Sequence, residues 1–356
     1  MNVIGKPQTL RLLNKDIIET IIRAQGPVTK PELSRQTGLS LVTVNKTVDA
    51  LVGEGRVLAV GMRDSGGGRS AQTYAINRRQ YCFLALLLND GHIHAALADA
   101  LGKPLVHQSF AVDVADVERE LYCCIDAMRE HTDGVTLMAI GLGVPGVVSG
   151  GVVTSIPTVP ALEGVPLAET LFARYGCDIA VENDVNLAAW GLYHRCFEAQ
   201  ADHLALVYLE RSVGCGLILN RQIFAGATSY AGEIGGFCTG DCAGGAENAF
   251  ESAFLALCEQ YRTQGDEALL RRIEALVVQA VQNVTCVVDT GLIAIRCGLL
   301  TGEGLARVEA ALPMQGWHKP KLELVGDLRD DCLTGVVHLC VQNTTPAVSI
   351  AGWEVM

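Results

Sequence analysis

No stretch of this sequence approaches the ~18 uninterrupted apolar residues that span a bilayer, and residues 1–13 lack the apolar run of a secretory signal. The expectation is a soluble, cytoplasmic protein with no membrane partner. Aromatic residues are scarce, 5% of the chain, and charged residues make up only 19%, yet 49% of the 356 residues are hydrophobic. That balance excludes a disordered or collagen-like chain and predicts a large buried core. Cysteine is the exception to the scarcity, with 13 residues, an odd number, several of them in apolar surroundings (Cys123, Cys124, Cys286, Cys340). Without a secretory signal they read as reduced core thiols rather than a disulfide framework. The length allows two or three compact units.

Acidic residues run short only at the front. Residues 1–80 carry 12 Lys and Arg against 6 Asp and Glu, net +6, while the remainder carries 15 against 33, net −18. A basic head suits a polyanion, and the acidic body would repel one. In the head, Asn14 is a candidate cap for a first helix with the stripe Ile17, Ile18, Ile21 and Ile22, ending at Gly26-Pro27. Thr29, with Glu32 three residues on, makes a capping box for a short second helix that Gly38 stops. Ser40 caps a third, with Leu41, Val44, Val48, Leu51 and Val52 on its apolar face and Val42, Thr43, Lys46 and Thr47 opposite. Two short strands follow, 56–60 and 73–76, around a glycine-rich loop holding Arg63 and Arg69. This is the order of a winged helix-turn-helix, with residues 1–80 as a DNA-binding domain. The predicted contacts to a double-stranded operator are Val42, Thr43, Lys46, Thr47, Arg63 and Arg69. An arginine at a glycine-rich tip suits a narrow minor groove or a phosphate. Use of the same module for protein contacts is the other reading.

From Tyr81 onward, apolar strands alternate with helical periods, the signature of an α/β body. Predicted strands include 81–88, 93–99, 105–111, 137–144 and 179–181, with a helix over 117–130 and another starting near Leu187. Residues 204–209 and 214–219 read as a hairpin-like pair, and 266–282 as the clearest later helix. Asn183 and Asp184 stand where a strand gives way to a helix, a frequent place for ligand groups in α/β folds. An amide and a carboxylate together suit the hydroxyls of a polyol, although Asp184 as a simple helix cap is the other reading.

Four pieces occur in order: Gly141-Leu-Gly-Val-Pro-Gly146, Glu182-Asn-Asp-Val-Asn186, Gly214-Cys-Gly216 with Gly226 downstream, and Ala231-Gly-Glu-Ile-Gly235. Over nearly its whole length the chain resembles the ROK family, which groups bacterial sugar-responsive repressors with sugar kinases. Only the repressor branch normally carries a winged helix. The resemblance implies a two-lobed actin-like ATPase fold, with lobes over 81–185 and 186–356, and a counterpart of the family's zinc motif reduced to a degenerate loop, 236–247. It also implies that the residue matching Asp184 is the kinases' base, that those matching Asn183 and Glu233 bind sugar, and that Glu247 stands near a second sugar-binding glutamate.

The pattern breaks at three places on the nucleotide side and again at the zinc motif. The family's phosphate loop, Asp-x-Gly-Gly-Thr, is replaced by Leu86-Leu-Leu-Asn-Asp-Gly-His-Ile93, where Asn89-Asp90-Gly91 suits a hairpin turn. Arg211-Ser212-Val213 stands at the second phosphate segment, and Arg296-Cys297-Gly298 replaces the adenosine-facing glycines. Phosphoryl transfer rests on positioning phosphates, so no kinase activity is expected. Of the zinc motif's one histidine and three cysteines, the chain keeps Cys238 and Cys242, with Gly236 at the histidine position; two thiolates, with Asp241, are the remaining metal candidates, and no cofactor is expected. The expected protein is a transcriptional regulator of carbohydrate metabolism genes, a repressor, forming a homodimer or higher homo-oligomer, whose body senses a sugar or sugar derivative. An active sugar kinase, or a regulator whose body docks a protein, are the readings beside it.

Overall fold

The computed structural model describes residues 7–63, 70–239, 249–313 and 319–344. The head opens with α1 (Pro7–Gln25), which buries Ile18, Ile21 and Ile22. Proline is well placed in a first turn and nothing between it and Asn14 breaks the helix, so Asn14 lies inside α1 rather than capping it. β1 (Val28–Thr29) leads into α2 (Lys30–Thr37). The capping box forms as expected: Thr29 N donates to Glu32 Oε2 at 2.7 Å, Glu32 N donates to Thr29 Oγ1 at 3.4 Å, and Gly38 ends the helix at φ +68°. Ser40 Oγ accepts from Thr43 N at 3.2 Å and opens α3 (Leu41–Gly53). β2 (Val57–Arg63) and β3 (Ala71–Ile76), both longer than predicted, form the wing, in the antiparallel order β1-β3-β2.

The first lobe strings together β4 (Tyr81–Asn89), β5 (His92–Asp99), β6 (Pro104–Ala111), α4 (Val117–Arg129), β7 (Thr136–Val144), β8 (Val147–Ser149), β9 (Val152–Ser155), α5 (Leu167–Tyr175) and β10 (Asp178–Asn183). Its five-stranded sheet has the order β10-β7-β4-β5-β6, parallel across the first three strands and antiparallel beyond. β4 is apolar on both faces because both are covered. Cys82, Leu84, Leu86 and Leu88 share a core with Leu121, Cys124, Ile125 and Met128 of α4. Phe83, Ala85 and Leu87 face the other way, into a core that reaches the second lobe. The β4–β5 connection turns at Asp90 and Gly91, φ +54° and +70°, as the hairpin chemistry requires.

α6 (Asp184–Leu192) follows β10 at once, three residues earlier than predicted, with Asn183 as its cap. After a wider π turn at Tyr193–Phe197 come β11 (Leu204–Leu209), β12 (Val213–Leu219), β13 (Gln222–Ile223), α7 (Phe250–Gln264), α8 (Glu267–Val288), β14 (Leu292–Arg296), α9 (Gly302–Ala311), β15 (Lys321–Leu324) and α10 (Arg329–Thr344). The second five-stranded sheet runs β13-β12-β11-β14-β15. Its Ala205, Val207 and Leu209 pack with α7 and α8, while Leu204 and Leu206 face α6. Each lobe is thus a sheet with helices on both faces. Among the described residues no helix is long and apolar enough to cross a membrane.

The two lobes meet through α6 and α10. Although α10 comes last in the chain, it packs against β4 and β7 of the first lobe, so the first lobe is completed from beyond residue 186. The helices cross at glycines: a Cβ on Gly335 would overlap the Leu187 carbonyl, and one on Gly191 the Asp331 carbonyl. Arg195, just beyond α6, grips the buried Asp331 at the head of α10 with two bonds, Nε–Oδ1 2.6 Å and Nη2–Oδ2 2.9 Å. At its far end α10 reaches the head, where Thr344 lies beside Glu19, Arg23 and Tyr81. Arg23 donates there to Tyr81 Oη at 2.5 Å and to the Ala100 carbonyl, and Glu19 is buried between Arg23 and Arg56.

This crossing has no space for a side chain. Gly335→Ala is expected to destabilise the protein by about 3 kcal/mol in denaturant unfolding, the upper range for overpacking. Gly53→Ala, where an added Cβ meets nothing within 4 Å, is expected to be neutral or slightly stabilising.

Candidate functional site

Two surfaces bring the predicted residues together. On the head, α3 buries Val44, Thr47, Val48 and Leu51 and turns Val42 and Lys46 to solvent. Thr47, expected to face outward, is only 9% exposed, and its hydroxyl donates to the Thr43 carbonyl at 2.9 Å. Leu41, expected in the core, is exposed instead. Taking Val44 as the centre of the stripe, these two lie about 60° to either side, and packing covers the Thr47 edge. Thr43 is half-buried beside the Ser40 cap. Arg63 is engaged inside the head, donating to Glu32 Oε1 at 2.9 Å and the Pro27 carbonyl at 2.7 Å, which ties the wing strand to the start of α2. Arg69 lies outside the described residues.

The second surface is the cleft between the lobes. A cavity of about 270 Å³ is lined by Asn183, Asp184, Glu233 and Glu251 together with Gly146, Thr158 and Ser229. Asn183 caps α6 by accepting from Asn186 N at 3.0 Å, and its amide donates to the Gly146 carbonyl at 3.0 Å. This places the Gly141–Gly146 and Glu182–Asn186 motifs side by side. Gly232, at φ +94°, lies against the Cys215 carbonyl where a Cβ would overlap it, and so brings Glu233 over β12. A Cβ on Gly235 would stand 2.6 Å from Glu251 Oε2. Glu251, in the first turn of α7, is the carboxylate that the sequence pattern did not reveal: counting along a shortened loop points to Glu247, four residues earlier in the sequence. Glu247 lies outside the described residues.

Asp184 is the first residue of α6 and accepts from Val185 N at 2.9 Å. Burial pushes its carboxyl up to about 7, the nearby carboxylates of Glu233 and Asp90 push the same way, and the Val185 N–H opposes them. Glu233 is also raised, by burial first and then by Glu251. The cavity therefore gathers carboxyl oxygens, with burial disfavouring the ionised forms of Asp184 and Glu233, an arrangement whose acceptors suit hydroxyl donors.

On the other side of Asp184 a larger cavity, about 530 Å³, opens between the lobes. Two of its lining residues, Arg211 on the β11–β12 turn and Asp90 on the β4–β5 turn, form an ion pair. Arg296 pairs with Glu210 at 3.0 Å, and Arg329 with Asp327 at 2.6 Å. The Cys238 backbone is bridged to Ala249, and its carbonyl accepts from Gln279 Nε2 at 3.3 Å. Among the described residues no three His, Cys, Asp or Glu side chains converge on one point; Asp241 and Cys242 lie outside the described residues.

With this geometry in view, residues 90–251 match the ROK family. A xylose repressor of Caldicellulosiruptor bescii is 25% identical over 282 residues, 74% of this chain and 70% of the relative. Against several other curated relatives the chain spans about 60% of their length. The fold is that of a ROK family transcriptional regulator, a homologue of the Escherichia coli MLC protein, at TM-score 0.76 and 16% identity, covering 94% of this chain and 97% of that one. The body alone also superposes on a ROK hexokinase from Thermus thermophilus, at TM-score 0.62 and 21% identity, covering 74% of this chain and 99% of that one.

The raised Asp184 carboxyl bears on stability. Between the ordinary carboxyl value near 4 and about 7 the folded state holds a proton that the unfolded chain has released, so stability falls as pH rises through that window. Asp184→Asn is expected to raise the melting temperature at pH 8 and to change it little below pH 4; parallel profiles for both proteins would contradict the assignment.

Proposed function

The chain carries a ROK family domain, and from that premise we propose that it is a sugar-responsive transcriptional repressor: a winged helix reads an operator and the two-lobed body senses a sugar or sugar derivative. One observation carries this reading. The cavity holding Asn183, Asp184, Glu233 and Glu251 opens between two lobes whose shared helix, α10, runs to a small cavity that its Thr344 lines together with Glu19 and Arg23 of α1. A ligand preferring one lobe separation has a direct mechanical route to the DNA-binding surface.

Asn183 holds α6 and Gly146 in register while Asp184, Glu233 and Glu251 accept from ligand hydroxyls. Closure of the lobes turns α6 against α10, and because no side chain separates the helices at Gly191 and Gly335, displacement passes between them. Arg23, bonded to both Tyr81 and Ala100, carries it into α1. Two copies related by a two-fold axis would present two α3 helices to two half-sites, and the bound sugar would shift their spacing. The proposed DNA contacts on the described surface are Val42, Lys46 and, beside the cap, Thr43; Arg69, outside the described residues, is kept as the proposed wing contact. Thr47 and Arg63 drop out, being buried and internally bonded respectively.

Kinase chemistry is not part of this proposal. Asn89-Asp90-Gly91, which the resemblance aligns with the kinases' phosphate loop, forms a hairpin turn, and Arg211 pairs with Asp90; such a segment offers little to position a transferring phosphoryl group. ATP-dependent phosphorylation of any bound sugar would overturn that exclusion.

In a thermal-shift panel of neutral, amino and phosphorylated sugars, at least one is expected to raise the melting temperature. Glu233→Gln should weaken that ligand tenfold or more, about 1.4 kcal/mol, and leave operator affinity unchanged. Lys46→Ala should weaken operator binding across sequences and lower the salt-dependence slope by about one, with the sugar response retained. A Glu233→Gln protein that binds the sugar normally would sink the pocket; a Lys46→Ala protein that binds the operator normally would sink the DNA surface.

A further inference from the structure

The outward side of α3 begins with two large apolar side chains that face solvent. Leu41 is 47% exposed and Val42 64%, in the first turn after the Ser40 cap. The polar groups of that turn are committed elsewhere: Ser40 Oγ accepts from Thr43 N at 3.2 Å and lies 2.9 Å from Thr43 Oγ1. The first turn therefore presents chiefly methyl groups. Lys46 follows Val42 one turn on, exposed and without an ion pair among the described residues. Asp49, the next residue along that face, is paired with Lys30 at 2.6 Å, which offsets the one carboxylate there.

A first turn of apolar side chains continued by a free cation, on a head of net charge +6, fits a DNA groove better than a protein partner. In the major groove the apolar feature on the base edges is the thymine C5-methyl group. We propose that Leu41 and Val42 read thymine methyls, so that the operator half-site places A·T pairs under the first turn of α3, with Lys46 on the neighbouring guanine or phosphate. This inference rests on the DNA-binding reading above and goes further in naming the base and the atoms. It also accounts for the exposure of Leu41, because burying its methyls against thymine recovers hydrophobic free energy that the folded head alone leaves unused.

The test uses the full-length protein and a random duplex library. Sequences enriched over several rounds are re-synthesised with thymine replaced by deoxyuridine at one position at a time, which removes only the methyl group. At the contacted positions the deoxyuridine duplexes are expected to bind about fourfold more weakly per methyl, while other positions are unaffected. Val42→Ala, a change on an exposed side chain, should cut the thymine preference at one of those positions and leave the salt dependence intact. Equal affinity for thymine and deoxyuridine at every position, or enrichment of G·C pairs under α3, overturns the inference while leaving the protein a DNA-binding one. Failure of the library to enrich any sequence overturns the DNA-binding reading itself, and this inference with it.

Discussion

The close crossing of α6 and α10 is the constraint on which the rest of the molecule depends. Glycines at 191 and 335 let one backbone lie on the other, and the Arg195–Asp331 pair fixes the approach at one end. Desolvating Asp331 is costly, and the two-bonded guanidinium is what makes it tolerable. Because α6 begins at Asp184 and α10 packs on β4, the same contact places the cleft carboxylate and joins the two sheets. Close-packed interfaces of this kind switch between discrete arrangements rather than deform smoothly, the property a sensor needs.

The charge division of the chain follows from that architecture. The head is basic and the body acidic, and the parts touch where Arg23, held beside the buried Glu19, donates to Tyr81 and to the Ala100 carbonyl, and where Arg78 pairs with the buried Asp99, 2.6 Å apart. The acidity of the body includes a functional component: Asp184, Glu233 and Glu251 gather at one cavity, where burial and mutual repulsion favour protonation of Asp184 and Glu233. The larger cavity between the lobes is laced with ion pairs such as Arg296–Glu210.

Much of this was legible in the sequence, wherever the determining chemistry is local. Thr29 with Glu32, Ser40, Gly38 and Asp266 cap helices as their residue types require, and Asn89-Asp90-Gly91 makes its hairpin. The winged helix, the α/β body and the actin-like fold followed from such signals and from four motifs in order. What stayed hidden is settled by packing between distant segments. Thr47 and Leu41 flank the apolar stripe of α3 symmetrically, so periodicity could not say which edge the rest of the head covers. Asn14 lost its cap role because α1 continues back to Pro7. Glu251 depended on loop length, and Arg23 meets partners 58 and 77 residues away, which no local pattern reveals.

The central claim is that a ligand in the cleft is felt at the head through α10. Hydrogen–deuterium exchange of the full chain, with and without a saturating sugar drawn from the thermal-shift panel, tests it most directly. Altered protection is expected in three places at once: α6 at the cleft, the last described turns of α10, and α1 around Glu19–Arg23. Altered protection confined to the cleft, with α10 and α1 unchanged, would contradict it.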